Sequence, residues 1–341
     1  MKRLIIYAAI ALTAFLPGLS RPALAQTQAP GAVTNAGPAL TTSGSTTFLA
    51  WKGQNSPGHV WYSTLNGSVW APVAQTNSET TAAPALAVAN GTVYLAMKGQ
   101  QQPTDDIYVA SWTGSAFPAP TKVPNTETTA APALAGDGST LYAAWTTATN
   151  TIMYATYAGA WSAPVATPFS TNTQMAPALA VHSGALHLAW VAEGGSQVMY
   201  AKFPLPGGPW SSANPVGAAA QTSVAPALGV FDAPAAPPGG LFVAWTTATG
   251  QVDYSTFSAG SWQPPVLVPT GPLTTTDYTP ALISFGPASC PYGDVGGPAY
   301  VFTVFYTLSN EDIYYFQDLL SYETTACRPS KPICPCPTCC T

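Results

Sequence analysis

Charge is scarce in this chain. Only 7% of its 341 residues are charged, where typical soluble domains carry about 25%. Arginine occurs three times, at Arg3, Arg21 and Arg328. Without a stripe of Lys and Arg nothing can track a phosphate backbone, which excludes a nucleic-acid partner. Histidine is scattered at His59, His182 and His187, too thinly for a catalytic triad or a metal centre. No cofactor motif is present. No window keeps a 3.6-residue apolar period long enough for a helix. Beyond the first residues no run reaches the roughly 20 apolar residues of a membrane span. The polar surface is left to Thr, Ser, Asn and Gln, which suit neutral ligands and steer charged ones poorly.

The N-terminal residues read as a secretion leader. Lys2 and Arg3 form a basic start, Leu4–Leu16 an apolar stretch and Ala23-Leu24-Ala25 a small-residue cleavage site. Residues 1–25 are therefore expected to be removed, with the mature chain secreted or periplasmic. Their loss leaves six of the nine basic residues against 14 acidic ones, a net charge of about −8.

The mature chain is built on repetition. Pro-Ala-Leu occurs at Pro38, Pro84, Pro132, Pro177, Pro226 and Pro280, at intervals of 46, 48, 45, 49 and 54 residues. A period in this range marks a repeat architecture. Each repeat offers up to four short runs. In the second repeat these are Ala83–Ala89, Val93–Met97, Ile107–Trp112 and Phe117–Thr121, with the turn Asn90-Gly91 between the first two. Short runs punctuated by turn residues read as antiparallel hairpins. In Leu141–Trp145 the large residues Leu141 and Trp145 fall on one face. Four strands per repeat, six times, predict an all-β chain folded as a six-bladed β-propeller over residues 26–322, with Pro-Ala-Leu innermost. A β-solenoid is the alternative, although its repeats are usually shorter and more uniform.

The sixth repeat supplies only three strands: Pro280–Ser284, Tyr300–Tyr306 and Ile313–Phe316. Ala29–Val33 resembles the missing fourth piece, so the N-terminal segment is expected to pair with the strand around Ile313–Phe316 and close the ring. Residues 323–341 form a Cys/Pro-rich tail. Cys327, Cys334, Cys336, Cys339 and Cys340, together with Cys290, are disulfide candidates in an exported chain. Six cysteines allow 15 pairings. A zinc site at Cys336 and Cys339 is the lesser alternative, there being no His nearby.

The repeated Ala-Pro-Ala-Leu-Ala, the Leu-Tyr-Leu-Ala-Trp-like second run, the Tyr-Ser third run and the Trp-Ser-x-Pro-Val fourth run resemble the bacterial and fungal propeller lectins over most of Gly37–Tyr315. That resemblance implies sugars held between adjacent blades against Trp or Tyr rings. The chain also looks like the sialidase repeat family. Ser63–Trp70 fits the spacing Ser-x-Asp-x-Gly-x-x-Trp, with Leu65 at the Asp position. A sialidase needs an arginine cluster for its substrate carboxylate, and Arg328 in the tail cannot supply one.

Trp51, Trp145, Trp190 and Trp245 end the second runs, and Tyr62, Tyr154 and Tyr254 recur in the third. A Trp at a strand end can offer its face to sugar C–H groups or fill the wedge between blades. Lys52, Lys98, Thr146, Thr246 and Glu193 read as solvated loop residues. Asp105-Asp106 could be a carboxylate pair, but adjacent strand residues point opposite ways. No catalytic residue is assigned. The leading expectation is a multivalent, non-enzymatic binder of neutral carbohydrate or glycoconjugate. A protein-interaction scaffold and a sialidase-like glycoside hydrolase are the alternatives.

Overall fold

The computed structural model describes residues 27–67, 69–101, 104–231, 240–258, 260–268, 276–288, 299–307 and 311–320. The leader and all six cysteines lie outside these residues. Every regular element among them is a strand. The strands form six small antiparallel sheets, the blades of a six-bladed propeller. Blade 3 displays the plan: Ala133–Gly136, Leu141–Thr146, Thr151–Tyr157 and Val165–Ser170 lie in that order from the axis outward. The inner strands of the other blades are Ala39–Ser43, Ala85–Ala89, Ala178–His182, Ala227–Phe231 and Ala281–Ala288. Each lies against the inner strands of its neighbours, and the sixth lies against the first.

Side-chain alternation sets the packing. Leu141, Ala143 and Trp145 face blade 2, while Tyr142 and Ala144 face blade 4. All six residues of Leu141–Thr146 are buried, because each blade is sandwiched between two others. A second strand therefore alternates between two apolar neighbours, not between core and solvent. The inner strands approach so closely that a Cβ at Gly136 would overlap the Val88 carbonyl. Asn90 and Gly91 both take positive φ (50° and 70°), the backbone that Asn-Gly supplies in a two-residue hairpin turn.

The ring closes as expected. Thr27–Val33 is the outer strand of blade 6 and pairs antiparallel with Asp312–Leu320, in the register Thr27↔Tyr315 and Val33↔Asp312. An irregularity between Gln28 and Val33 spans Pro30, which lacks an N–H, and Gly31 at φ 70°. Ala29 and Ala32 are each 1% exposed, so the segment is packed as well as paired.

The fourth runs depart from expectation. Trp-Ala-Pro-Val is not one continuous strand in blade 1. Val69–Trp70 pairs with Leu65 and Asn66, the ladder stops across residues 71–73, and Ala74–Thr80 resumes it. Pro72 cannot donate to a ladder, and the outermost strand has no further neighbour to satisfy.

Candidate functional site

Two concavities are built from the repeats, one at each end of the blades. The first lies between blades 1 and 2, beside the hairpin turns. It encloses about 420 Å³ and is lined by Ser43, Thr46, Phe48, Thr92, Trp112 and Thr113 among others. Trp112 follows the third strand of blade 2, Ile107–Ser111, and its backbone N–H donates to the Val93 carbonyl at 2.8 Å. The half-buried indole is fixed by edge contacts with Phe48 (5.2 Å), Tyr62 (5.6 Å) and Phe117 (5.0 Å). Among the described residues the hydroxyls of Ser43, Thr46 and Thr92 have no hydrogen-bond partner, and no charged side chain lines the pocket.

The second concavity is a funnel of about 360 Å³ at the opposite end, on the axis, where all six inner strands begin. Its rim is shaped by threonine. Thr34, Thr80, Thr128, Thr222 and Thr276 each stand four residues before the proline of an inner strand, and each is at most 2% exposed. Each hydroxyl accepts the N–H two residues on, at 3.1–3.3 Å. That turn satisfies a buried donor and bends the chain inward. In the fourth repeat the residue at that spacing, Thr173, is exposed, and Thr171, six residues before the proline, is buried and donates to the Val191 carbonyl at 2.7 Å. The ends of second strands then tie blade to blade: Thr146 donates to the Met175 carbonyl (2.6 Å), Thr246 to Tyr278 (2.8 Å) and Thr307 to Ala36 (3.1 Å).

Lys52 and Lys98 take that position in blades 1 and 2. They are 3% and 1% exposed, not solvated as expected from sequence. Lys52 Nζ donates to Asn35 Oδ1 (2.5 Å) and to the Gly53 and Asn55 carbonyls (3.0 and 2.8 Å). Lys98 Nζ donates to Thr81 Oγ1 and the Gln101 carbonyl, both at 2.9 Å. Burial lowers both ammonium pKa values, against the opposing pull of Glu311 on Lys52 and Asp105 on Lys98. Thr146 and Thr246 are buried too, and Glu193 accepts from Asn150 at 2.5 Å across blades 3 and 4.

The residues singled out in the sequence as sugar platforms are core side chains. Trp51, Trp145, Trp190 and Trp245 are 0–3% exposed. Each packs back into the preceding blade: Trp51 with Phe305 and Ile313, Trp145 with Ile107 and Val123, Trp245 with Val198 and Val216. Trp190 stacks on Phe169 at 4.5 Å. Rings covered on both faces offer nothing to a sugar. Tyr62 and Tyr254 are buried as well, and half-buried Tyr154 meets Trp210 edge-on at 5.9 Å. Asp105 accepts the Gln101 N–H at 2.7 Å and Asp106 pairs with Lys122 at 2.6 Å, so both carboxylates hold a loop. Among the described residues no cluster of His, Cys, Asp and Glu could hold a metal ion.

The residue that sequence reasoning passed over is Trp112. Its register equivalents are Tyr157, Phe203 and Phe257, each followed in the fourth run by Trp161, Trp210 or Trp262. In blade 2 the order is swapped, Trp112 standing on the third run and Phe117 on the fourth. That break in the pattern was the available signal.

No family model and no curated protein matches the chain. Solved structures do. The AofleA protein of Arthrobotrys oligospora superposes with a TM-score of 0.61 at 11% identity, over 88% of this chain and 87% of that one. The fucose-specific lectin from Aleuria aurantia gives 0.57 at 12%, over 90% and 99%. The fold is shared. A microbial sialidase, Hz136, gives 0.57 at 12% over 85% of this chain and 66% of its own. At these identities the likeness concerns the propeller itself and not the residues in its pockets.

Proposed function

We propose that this chain is a carbohydrate-binding propeller that holds neutral sugars between its blades, with the pocket between blades 1 and 2 as a working site. The observation that carries this is the pocket's lining: a half-buried Trp112 ring, the unpaired hydroxyls of Ser43, Thr46 and Thr92, and no charge. A sugar presents C–H groups to an aromatic face and hydroxyls to a polar rim. The shared fold with fucose-specific lectins supports the class of ligand. Each hydroxyl bond nets about 1 kcal/mol, so a single site is weak. Aromatic contacts between blades recur at Tyr94–Tyr157, Tyr154–Phe203 and Tyr200–Phe257. Several such sites on one ring would raise avidity by roughly 10²–10⁴ on a surface dense in sugar. On the reading of residues 1–25 as a secretion leader, the protein acts outside the cytoplasm.

The role is binding and not catalysis, since Asp105 and Asp106 are committed to their loop. Nor does an apolar docking face among the described residues favour a scaffold: their exposed large hydrophobics, Val69, Val165, Val266 and Leu267, sit on the outer strands of three separate blades. The test is a glycan array probed with the mature protein at high valency, followed by Trp112→Ala and Thr92→Val. Binding of neutral glycans that falls roughly tenfold in Trp112→Ala, with folding intact by thermal melt, is expected. Silence across the array sinks the proposal. If Trp112→Ala does not fold, Thr92→Val decides: unchanged binding removes this pocket from the site.

A further inference from the structure

The funnel on the axis is lopsided in a way its repeat origin does not require. The turns of blades 1, 2, 3 and 5 present small walls, such as Gly37, Ala82, Ala130 and Ala225, whereas those of blades 4 and 6 present Gln174, Met175, Asp277 and Tyr278. Asp277 is exposed, and its carboxylate has no hydrogen-bond or ion-pair partner among the described residues. Tyr278 beside it is half-buried, and its hydroxyl likewise has no partner among them. Burial pushes the Tyr278 phenol up, and the carboxylates of Glu311 and Asp277 push it further, so the ring stays neutral in a negative field. The basic group on the lining is withdrawn: Lys98 is 1% exposed and its ammonium is turned onto Thr81 and the Gln101 carbonyl. The accessible charge of the hollow is therefore negative, next to an aromatic ring and opposite a methyl-lined wall.

We propose that this funnel is a second binding site, for a small organic cation: an ammonium group carrying short alkyl substituents, seated over Tyr278 beside Asp277 with its alkyl groups against the alanine wall. A ring face attracts a cation within about 6 Å of its centre, more strongly when water is excluded. An unpaired carboxylate adds a direct Coulomb attraction. A volume near 360 Å³ admits such a molecule. The site lies at the other end of the blades from the Trp112 pocket and does not depend on sugar binding there.

Choline is the probe, titrated into the mature full chain by calorimetry. Its comparison is the neutral alcohol in which the quaternary nitrogen is replaced by carbon. Saturable choline binding is expected, with the alcohol on the order of tenfold weaker. Asp277→Asn should weaken choline on the order of tenfold and Tyr278→Leu on the order of fivefold. No saturable binding, equal binding of the alcohol, or an Asp277→Asn variant with wild-type affinity would each overturn the proposal. If Tyr278→Leu does not fold, Asp277→Asn decides, because Asp277 is exposed and holds none of the described residues in place.

Discussion

At the position where blades 1, 2, 3 and 5 carry Phe48, Tyr94, Tyr142 and Phe242, blade 4 carries His187. Its Nδ1 lies 2.7 Å from the Tyr200 hydroxyl and its Nε2 3.1 Å from the His182 carbonyl, in a site 5% exposed. Burial brings its pKa down from 6.5 to about 4, against the His182 carbonyl, which raises it, and with His182 and Lys202, which lower it further. Between those values the unfolded chain binds a proton that the folded chain refuses. Stability is thus full above pH 6.5 and falls as pH drops towards 4, by on the order of 3 kcal/mol. Melting temperature against pH should show that loss, and His187→Phe should flatten it. Parallel declines in the two proteins would place the acid sensitivity elsewhere. Trp145, 1% exposed, tests the core assignment: Trp145→Ala should cost about 3–5 kcal/mol in denaturant unfolding. A well-folded Trp145→Ala protein that has lost only glycan binding would return that ring to the ligand.

The elements that hold the ring shut are short. Thr27–Val33 gives blade 6 its outer strand, and without it Asp312–Leu320 becomes a bare edge. It also buries Ala29 and Ala32 beside Trp51 and Phe305, at the junction of blades 6 and 1. Deleting residues 27–33 should lower the melting temperature and strip hydrogen-exchange protection from Asp312–Leu320, while blades 3 and 4 keep theirs longest. Uniform protection after the deletion would mean that the strand merely lies on the blade. The outer edges of blades 2 and 4 are the two-residue strands Thr121–Lys122 and Asn214–Pro215, while blades 1 and 3 carry the longer Ala74–Thr80 and Val165–Ser170. In blades 2 and 4 so little free ladder discourages pairing between molecules.

Across the whole molecule, the two concavities differ in charge, and salt should separate them. Sugar binding in the Trp112 pocket engages neutral groups only, so its affinity should barely change between roughly 0.01 and 1 M salt, a range over which the screening length shrinks from about 30 to 3 Å. Glycan affinity measured along that series checks this. A steep fall would mean that charged residues outside the pocket carry the binding. The ring itself is one cooperative body, since each blade buries both faces against neighbours.

Repetition alone was enough to specify the propeller. Six Pro-Ala-Leu repeats, four β-rich runs in each of the first five and a sixth repeat short of one strand point to six blades and closure by the N-terminal segment, because a repeat that cannot bury its own face must stack and an open ring leaves an edge. The ring of threonines ahead of each proline was written there too, at a four-residue spacing visible in all six repeats, although in the fourth the structure buries Thr171 and leaves Thr173 exposed. What the sequence could not decide is which aromatic rings face outward. Trp145 and Trp112 each end a β-rich run, yet one is 1% exposed and the other half-buried. Both rings meet the preceding blade, but Trp145 is walled in by Ile107 and Val123 within a second strand, whereas Trp112 stands just past a third strand, beside the hairpin turns. Lys52 and Lys98 likewise read as solvated and are buried, because each ammonium folds back onto carbonyls of the loop that follows it, Gly53 and Asn55 or Gln101, and meets a side chain from the turn before the inner strand, Asn35 or Thr81.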